Sequence, residues 1–183
     1  DWRELPVQYA DYSLWHRELL GAEDRPGDLA YQQLRFWRAV LDGMPSQLAL
    51  PTDRPRPALP SNRGAAVDFE IDPELAAALR VLAHRSGATL FMVVHAAFAA
   101  TIARSSGTDD VVIGSPVGGR GERQLDALIG MFVNTVVLRT PVDAAATFTE
   151  LLADVRGCDL AAFANADLPF ERLVDAMAVD RST

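Results

Sequence analysis

The sequence contains no lysine, one cysteine and three histidines. Its charge, its cysteine count and its histidine spacing each argue against a class of protein. All 17 basic residues are arginines, and 25 acidic residues outweigh them to a formal net charge of -8. Such a charge opposes binding to nucleic acid, because the phosphates would be repelled. The lone Cys158 cannot build an internal disulfide framework. Since His16, His84 and His95 show no metal-ligand spacing with it, the sequence predicts no bound metal.

A long apolar run is also missing. The longest stretch, Leu90 to Ala103, falls short of the roughly 20 residues that cross a bilayer, and it is interrupted by His95 and Thr101. The first residues show no charged, then apolar, then small-residue leader. We therefore expect a cytoplasmic protein, and the 49% hydrophobic content predicts a globular core rather than disorder.

Two helices and a connector are predicted in the first third of the chain. Residues 7–20 place aromatic side chains at helical spacing, and residues 29–41 carry the apolar stripe of a second helix, which ends at Gly43. Five prolines between Pro45 and Pro60 cannot sustain a helix or a central strand, because proline lacks the amide donor. This stretch is predicted to be an extended connector.

Beyond the connector, apolar patterns of helical and of strand period alternate, which predicts an α/β fold with a mixed β-sheet covered by helices. Capping residues mark helix starts at Asp72-Pro73, Thr89 and Thr147. The helix 90–104 is apolar nearly all round and is expected inside the fold. Strands are predicted at 66–71, 111–113 and 132–139, of which the last two are expected to be sheet neighbours. Helices are predicted at 73–87, 90–104, 147–164 and 169–177.

The glycine-rich stretch GSPVGGRGER, residues 114–123, invites a phosphate-binding interpretation. It lacks the Gly-Lys-Ser/Thr ending of a phosphate loop and the G-x-G-x-x-G spacing into a long helix. The favoured interpretation is a loop whose glycines at 118, 119 and 121 adopt positive φ. Arg120 and Arg123 remain possible phosphate contacts.

Two isolated residues could carry chemistry or simply pack in the core. Cys158 shares a helical face with Leu151 and Val155, which favours a buried small side chain over a nucleophile. His95 lies on the most apolar helix, which favours a core histidine bonded to a backbone carbonyl over a general base.

Asn134 is a lone amide in a strand of large apolar residues. Strand alternation places it on one face with Phe132, Val136 and Leu138. A buried amide without a partner costs about 1–3 kcal/mol, so this side chain must meet backbone, water or a ligand. A structural partner and a ligand-facing role are both compatible with the residues.

Three motifs carry a resemblance to a known family. VQYADYSLW holds Tyr9, Asp11, Tyr12 and Trp15; IGMFVNTVVLR holds Gly130, Phe132, Val133, Asn134, Thr135 and Arg139; NADLPFERLV holds Asp167, Pro169, Phe170 and Glu171. On these residues, and on the stretches LPTDRPRP and GATLFMVVHAAF, the chain resembles the condensation domains of nonribosomal peptide synthetases over nearly its whole length. The third motif departs from the family at Asn165 and Ala166, where histidine and glutamine are common.

The resemblance implies a fold and a division of the chain. Condensation domains have a chloramphenicol-acetyltransferase-like fold, in which two similar lobes surround a tunnel. The chain is then expected to be one lobe, a two-layer sandwich of a mixed β-sheet covered by helices. Residues 1–60 would be the helical segment and connector from the end of the N-terminal lobe, and residues 61–183 the C-terminal lobe, truncated before its last strands.

The resemblance also implies the chemistry. The parent enzyme forms a peptide bond between donor and acceptor aminoacyl thioesters, in bacterial biosynthesis of antibiotics and other secondary metabolites. The family signature H-H-x-x-x-D-G is absent from these 183 residues, so no catalytic residue is assigned to this chain. No cofactor is expected to bind directly, because phosphopantetheine arms of carrier proteins bring the substrates. The implied partners are the N-terminal lobe, carrier proteins and an adjacent adenylation domain, with no nucleic acid and no membrane.

Carried over residue by residue, the resemblance assigns a substrate tunnel and a set of structural motif residues. The tunnel candidates, on the acceptor side, are Gly118, Gly119, Arg120, Phe132, Asn134, Pro169 and Phe170. The structural motif residues are Tyr9, Asp11, Tyr12, Trp15, Gly130, Thr135, Arg139, Asp167 and Glu171. Three alternatives stay open: a non-catalytic specificity or carrier-docking module, an epimerization or cyclization domain of the same fold, and a freestanding acyltransferase.

Overall fold

The computed structural model describes residues 4–45, 47–55, 57, 59, 61 and 63–177. Helices dominate, and a small sheet lies between the fourth and fifth of them in chain order. The elements are α1 Tyr9–Leu20, α2 Leu29–Val40, α3 Pro73–Arg85, α4 Leu90–Ser106, β1 Asp110–Gly118, a 3₁₀ turn Arg123–Leu125, β2 Val133–Pro141, α5 Phe148–Phe163 and α6 Phe170–Met177. The helices predicted from periodicity are all confirmed, and the described residues of the proline-rich connector form neither helix nor strand.

Side-chain caps explain where three of these helices begin. The Asp72 carboxylate accepts hydrogen bonds at 2.9 Å from two amides of the first turn of α3. The Thr89 hydroxyl accepts from the amide of Met92 at 3.2 Å. At α5, Thr147 and Glu150 form a reciprocal capping box, with each side chain accepting from the other residue's amide. Local sequence alone is therefore enough to place these starts.

The two strands β1 and β2 are hydrogen-bonded neighbours, as predicted. The amide of Gly119 donates to the carbonyl of Phe132, and the amide of Val142 donates to the carbonyl of Asp109. Residues at the end of β1 thus meet residues at the start of β2, so the strands run antiparallel. β1 continues to Gly118, well beyond the predicted end at residue 113, because it pairs with the whole length of β2.

The strand predicted at residues 66–71 is wrong. These residues form no strand, and Val67 and Phe69 are 86% and 82% exposed. The alternating pattern is suitable for a strand, but a strand also requires a neighbour that accepts and donates its ladder hydrogen bonds. No such neighbour occurs among the described residues, in which the sheet consists of β1 and β2.

The chain divides into two compact units, each assembled from separate stretches of sequence. The described residues of the first unit lie within Asp1–Gly43, Ile113–Leu138 and Ala161–Val179. One part of its core is formed by Leu125, Leu128 and Phe132, against which Tyr9 and Tyr12 pack. Further buried side chains of this unit are Leu20, Leu34, Trp37, Leu41, Val136, Leu138, Leu168 and Leu173.

The described residues of the second unit lie within Met44–Val112 and Arg139–Leu160. Its core is apolar and drawn from three helices: Ala83 of α3, Met92, Val93 and Ala96 of α4, and Leu151, Leu152 and Val155 of α5. The domain boundary predicted from the family resemblance, between residues 60 and 61, stays a prediction.

Helix α4 is buried on one face and not all round, which corrects the expectation that it lies wholly inside the fold. Met92, Val93 and Ala96 are buried against α3 and α5. Phe91 and Phe98, on the other face, are 45% and 53% exposed. Apolar composition predicts that a helix can be buried, but the neighbours that the fold supplies decide which faces are covered.

No single described helix is both long and apolar enough to cross a bilayer. Helices α3 and α4 reach that length and composition only as a pair, and they meet at a bend of 102°.

Candidate functional site

A cleft of about 640 Å³ lies wholly within the first unit. Its walls come from α1, from the end of β1 with the loop that follows, from the start of β2, and from the residues between α5 and α6. The lining includes Tyr9, Tyr12, Trp15, His16, Gly118, Gly119, Glu122, Phe132, Asn134, Asp167, Pro169 and Glu171. The three sequence motifs, which are far apart in the chain, therefore meet around one cavity.

Asn134 connects the strand β2 to the turn that precedes α6. Its Nδ2 donates to the carbonyls of Ala166 and Leu168, each at 2.8 Å, and its Oδ1 accepts from the amide of Phe170 at 3.0 Å. Both donor positions and the acceptor of the amide are thus used by backbone groups. Of the two roles left open by the sequence, the structural one accounts for every polar atom of this side chain.

Helix α2 holds the same turn from a second direction. We call residues Asn165–Phe170 the 165–170 turn. Gln33, only 1% exposed, donates from Nε2 to the Asp167 carboxylate and accepts from the amide of Leu168, both at 2.8 Å. The indole of Trp37 donates to the carbonyl of Asn165 at 2.9 Å. Because these groups are largely removed from water, the hydrogen bonds fix the turn in one position.

Aromatic rings from α1, together with Phe132, form one wall of the cleft. Phe132 meets Tyr9 edge-on, with ring centroids 5.4 Å apart, and lies 4.7 Å from the ring of Tyr12. The rings of Tyr12 and His16 stack at 5.6 Å with an interplanar angle of 13°. The hydroxyl of Tyr9 donates to the carbonyl of Met131 at 2.8 Å, so this wall is also anchored to the chain entering β2.

None of the three glycines of the predicted loop has a positive φ, and one of them, Gly119, is needed for space. The prediction of positive φ at Gly118, Gly119 and Gly121 is wrong, since the described glycines with positive φ are Gly21, Gly43, Gly87 and Gly107. A Cβ on Gly119 would lie 2.9 Å from the carbonyl oxygen of Phe132, to which the Gly119 amide donates. Close pairing of the two strands therefore excludes a side chain at this position.

Gly130 is confined in a similar way. A Cβ at this position would lie 2.2 Å from the ring of Tyr9, so only glycine allows the ring to pack there. Gly130 of the motif IGMFVNTVVLR thus leaves space for Tyr9 of the motif VQYADYSLW.

Arg120 holds the loop after β1. Its Nη1 donates to the carbonyls of Leu125 and Leu128, at 2.5 and 2.8 Å, and its guanidinium carbon lies 4.1 Å from the ring centroid of Phe132. Neither Arg120 nor Phe170, both predicted tunnel residues, lines the cleft, whereas Gly118, Gly119, Phe132, Asn134 and Pro169 do.

The electrostatics of the cleft are acidic. Glu122, Asp167 and Glu171 line it together with His16. Burial raises the pKa of the Tyr12 phenol above its usual value, and electrostatic interaction with Tyr9 and with Asp167 adds to the rise. Tyr12 therefore stays protonated at neutral pH and is available as a neutral donor.

Other motif residues stabilise local structure. The Asp11 carboxylate accepts from the amide of Gln8 at 2.8 Å, at the start of α1. Thr135 is half-buried in β2. In the second unit, Arg139 binds Asp110 through two nitrogens, Nε at 2.9 Å and Nη2 at 2.7 Å, which joins β2 to β1.

The buried histidine of the second unit has a partner that the sequence did not suggest. His95, 5% exposed, lies with Nδ1 2.9 Å from the Asp159 carboxylate and with Nε2 3.4 Å from the hydroxyl of Thr140. Burial in the core is confirmed, but the expected backbone carbonyl is replaced by a fully buried carboxylate. The two residues are 64 positions apart, and no local pattern connects them.

Cys158 is half-buried, and its surroundings oppose the thiolate. Burial raises the pKa of its thiol, and the carboxylates of Asp159 and Asp154 raise it further.

Within the described ranges, no group of at least three His, Cys, Asp or Glu side chains is arranged to hold a metal ion.

Sequence reasoning missed several residues of the cleft. His16 was considered only for metal-ligand spacing, and Gln33 was not considered. The helical positions of Gln33 and Trp37 on one face of α2 are readable in the sequence, but their partners in the 165–170 turn are more than 120 residues away. Only the folded chain brings them together.

Comparison with known proteins places this architecture in a family. The family model described as the condensation domain matches residues 1–183. A probable nonribosomal peptide synthetase of Salinispora arenicola, CymA, is 51% identical over the whole chain, which spans 2% of that protein. A dimodular nonribosomal peptide synthase of Bacillus subtilis is 48% identical, and the chain spans 8% of it. The chain thus represents a small part of the length of the curated relatives it matches.

Solved structures agree with the fold. The X-domain of teicoplanin biosynthesis, solved in complex with OxyB, matches the whole chain with a TM-score of 0.92 and 33% identity, over 40% of its own length. The first condensation domain of the calcium-dependent antibiotic synthetase matches 96% of the chain with a TM-score of 0.74 and 21% identity, over 38% of its length. The α/β architecture predicted from the sequence is that of these domains. On the match of its entire length, this chain belongs to the condensation domain family of nonribosomal peptide synthetases.

Proposed function

We propose that this chain supplies the acceptor-side wall of the substrate tunnel in a peptide-bond-forming condensation domain. Residues 61–183 would belong to the C-terminal lobe, and residues 1–60 to the end of the N-terminal lobe. The catalytic histidine would come from an H-H-x-x-x-D-G segment that these 183 residues do not contain. The substrates would arrive on phosphopantetheine arms of carrier proteins.

The cleft carries this proposal. Its volume of about 640 Å³ falls within the roughly 300–1,000 Å³ that is usual for small-molecule sites. Residues of all three motifs line it, among them Tyr12, Asn134 and Pro169. The hydrogen bonds from Gln33 and Asn134 fix its floor, so a bound substrate would meet a surface that is already in place.

The proposed chemistry is aminolysis of a thioester. The amine nitrogen of the acceptor attacks the donor carbonyl carbon, the carbon–sulfur bond breaks, and the donor's pantetheine leaves as a thiol while the amine loses a proton. Holding the amine and the carbonyl in contact turns a bimolecular step into an effectively unimolecular one, an advantage that reaches about 7–11 kcal/mol in the best cases. This chain would contribute to that advantage by positioning the acceptor.

The test is to obstruct the cleft without disturbing the fold. Gly118 lines the cleft, and a Cβ built on it meets nothing within 4 Å. Gly118→Trp should therefore fold and fill the cavity. The chain, combined with an N-terminal lobe that carries H-H-x-x-x-D-G and with loaded donor and acceptor carrier proteins, should form dipeptidyl thioester, measured by mass spectrometry. We expect Gly118→Trp to lower the initial rate at least 10-fold.

A matched control uses a glycine outside the cleft. Gly27 also has open space around its Cβ position and does not line the cavity, so Gly27→Trp should leave the rate within about two-fold. Equal rates for the two tryptophan variants would contradict a substrate role for the cleft.

A second candidate function is docking without catalysis. The observation that favours it is the likeness to the teicoplanin X-domain, a protein whose solved complex is with OxyB. If the reconstituted domain binds a loaded carrier protein but forms no dipeptidyl thioester, this interpretation replaces the catalytic one. If product forms, the docking interpretation is rejected.

A further inference from the structure

Asp167 is held in the cleft by one of its two carboxylate oxygens. Its Oδ2 accepts the hydrogen bond from Gln33 at 2.8 Å, and the backbone of the next residue, Leu168, is held by the same glutamine. The Asp167 side chain is otherwise exposed, and Oδ1 has no hydrogen-bond partner in the part of the chain that the structure describes. The geometry therefore fixes the direction of a carboxylate and leaves one oxygen available.

No arginine lines the cleft among the described residues, whereas arginines neutralise carboxylates elsewhere in this chain. Arg139 binds Asp110 at 2.7 Å, and Arg172 binds Glu23 at 2.6 Å. The described cleft residues include Asp167 and two glutamates but no arginine, although the sequence contains 17. A negatively charged ligand would be repelled here, and a positively charged one attracted.

Aromatic faces beside Asp167 are suited to the same kind of ligand. Tyr12 stacks on His16, and its ring lies 6.0 Å from that of Trp15. The faces of such rings attract organic cations. Burial raises the pKa of the Tyr12 phenol, and the Asp167 charge contributes to the rise, so the field of this carboxylate extends to the aromatic wall.

We propose that Asp167, oriented by Gln33, receives the protonated amine of the acceptor substrate in the cleft. The inference rests on the function proposed above and extends it to a named contact. An α-amine with a pKa of about 8 is mostly protonated at pH 7, and a charge-assisted hydrogen bond to an oriented carboxylate would hold it until it loses the proton that must leave before the nitrogen attacks the thioester. Gln33 is then a positioning residue, since it acts through Asp167.

The test compares a probe with a charged α-amine and a probe in which an acetyl group removes that charge. One is an aminoacyl aminopantetheine, in which an amide replaces the labile thioester and the α-amine is free; the other is its N-acetyl counterpart. Both are titrated against the 183-residue chain at pH 7 by NMR. We expect the free-amine probe to bind about 5-fold more tightly, and Asp167→Asn to abolish that preference while leaving the affinity for the N-acetyl probe unchanged.

Asp167→Asn is a conservative variant, because an asparagine oxygen can still accept from Gln33. Its control is Asp24→Asn, which removes the same charge from an exposed residue that does not line the cleft and should keep the preference. A wild type that binds both probes equally, or an Asp167→Asn variant that keeps the 5-fold preference, overturns the inference and leaves the proposed function standing. If neither probe binds, the inference and the proposed function are both overturned.

The positioning role of Gln33 is tested separately. Gln33→Glu places a carboxylate against Asp167 Oδ2, and the repulsion between the two should turn the Asp167 side chain away and so remove the preference for the amine. The double variant Q33E/D167N restores a hydrogen bond with donor and acceptor exchanged, so it should bind the N-acetyl probe as the wild type does but should lack the amine preference. Gln32→Glu, on the exposed neighbour in α2, should behave as wild type. Full amine preference in Gln33→Glu would overturn the positioning role.

Discussion

The 165–170 turn and the helical core of the second unit are stabilised by different means. The turn is held by side-chain amides, with Gln33 and Asn134 donating to and accepting from groups of the turn. The core of the second unit is apolar packing among α3, α4 and α5. Hydrogen bonds are directional and apolar contacts are not, so the first arrangement fixes a shape while the second supplies stability.

Each of the two units also contains an exception to this contrast. In the second unit, the buried pair of His95 and Asp159 is polar within an apolar environment. In the first unit, Gly119 contributes through the space that it leaves and not through a side-chain hydrogen bond. Four substitutions, in order of decreasing expected effect, examine the two regions.

The largest effect is expected for His95→Ala. This change leaves the Asp159 carboxylate, which is 0% exposed, buried without its partner. Breaking a buried pair in this way costs about 3–5 kcal/mol, and we expect a loss of that size in the free energy of unfolding measured by urea denaturation. His84→Ala, an exposed position in the last turn of α3, is the control and should change stability by less than about 0.5 kcal/mol. A loss below 1 kcal/mol for His95→Ala would show that the core tolerates the isolated carboxylate.

Asn134→Asp should have the next largest effect. The substituted carboxylate can still accept from the amide of Phe170, but it cannot donate to the carbonyls of Ala166 and Leu168 at neutral pH. We expect a loss of about 2 kcal/mol in unfolding free energy at pH 7. Thr135→Val, a nearly isosteric change at the next residue of β2, should cost less than about 1 kcal/mol. Equal stability of Asn134→Asp and wild type would mean that the turn is not held by this amide.

Gly119→Ala is expected to cost about 1–2 kcal/mol, because its Cβ would meet the carbonyl oxygen of Phe132 at 2.9 Å. The adjacent Gly118→Ala is the matched control, since its Cβ meets nothing within 4 Å and should change stability by less than about 0.5 kcal/mol. Thermal unfolding followed by circular dichroism measures both. Similar losses at both positions would contradict steric contact with Phe132 as the cause, because alanine by itself lowers the entropy cost of folding.

The smallest effect concerns the start of α5. The amide of Thr147 and then its hydroxyl, both donating to the Glu150 carboxylate, lower the pKa of Glu150 below its usual 4.5. A group whose pKa is lowered by folding stabilises the fold above its unfolded pKa, and this contribution disappears as the pH falls through the folded value. Wild type should therefore exceed Glu150→Gln in Tm at pH 7, and the difference should shrink below pH 4.5. A difference that is constant from pH 7 to pH 3 would contradict this account.

Much of the secondary structure was predictable because its causes are local. Asp72, Thr89 and the Thr147 and Glu150 pair mark helix starts through contacts within one turn. The strand at residues 66–71 failed because its pattern is local but its requirement, a neighbouring strand, is not. The motifs of the cleft were also visible, but their assembly was known only through the family resemblance.

The sequence by itself determined the helices, the neighbouring pair of strands and the family, since caps, apolar periods and short motifs act over a few residues. Only the tertiary structure decided that Asn134 serves the backbone of the 165–170 turn, that His95 meets Asp159, and that Gly119 is required for space. Each of these contacts joins residues separated by 13 or more positions. Their energies depend on distances that arise only when the chain has folded, and no local pattern of residues encodes them.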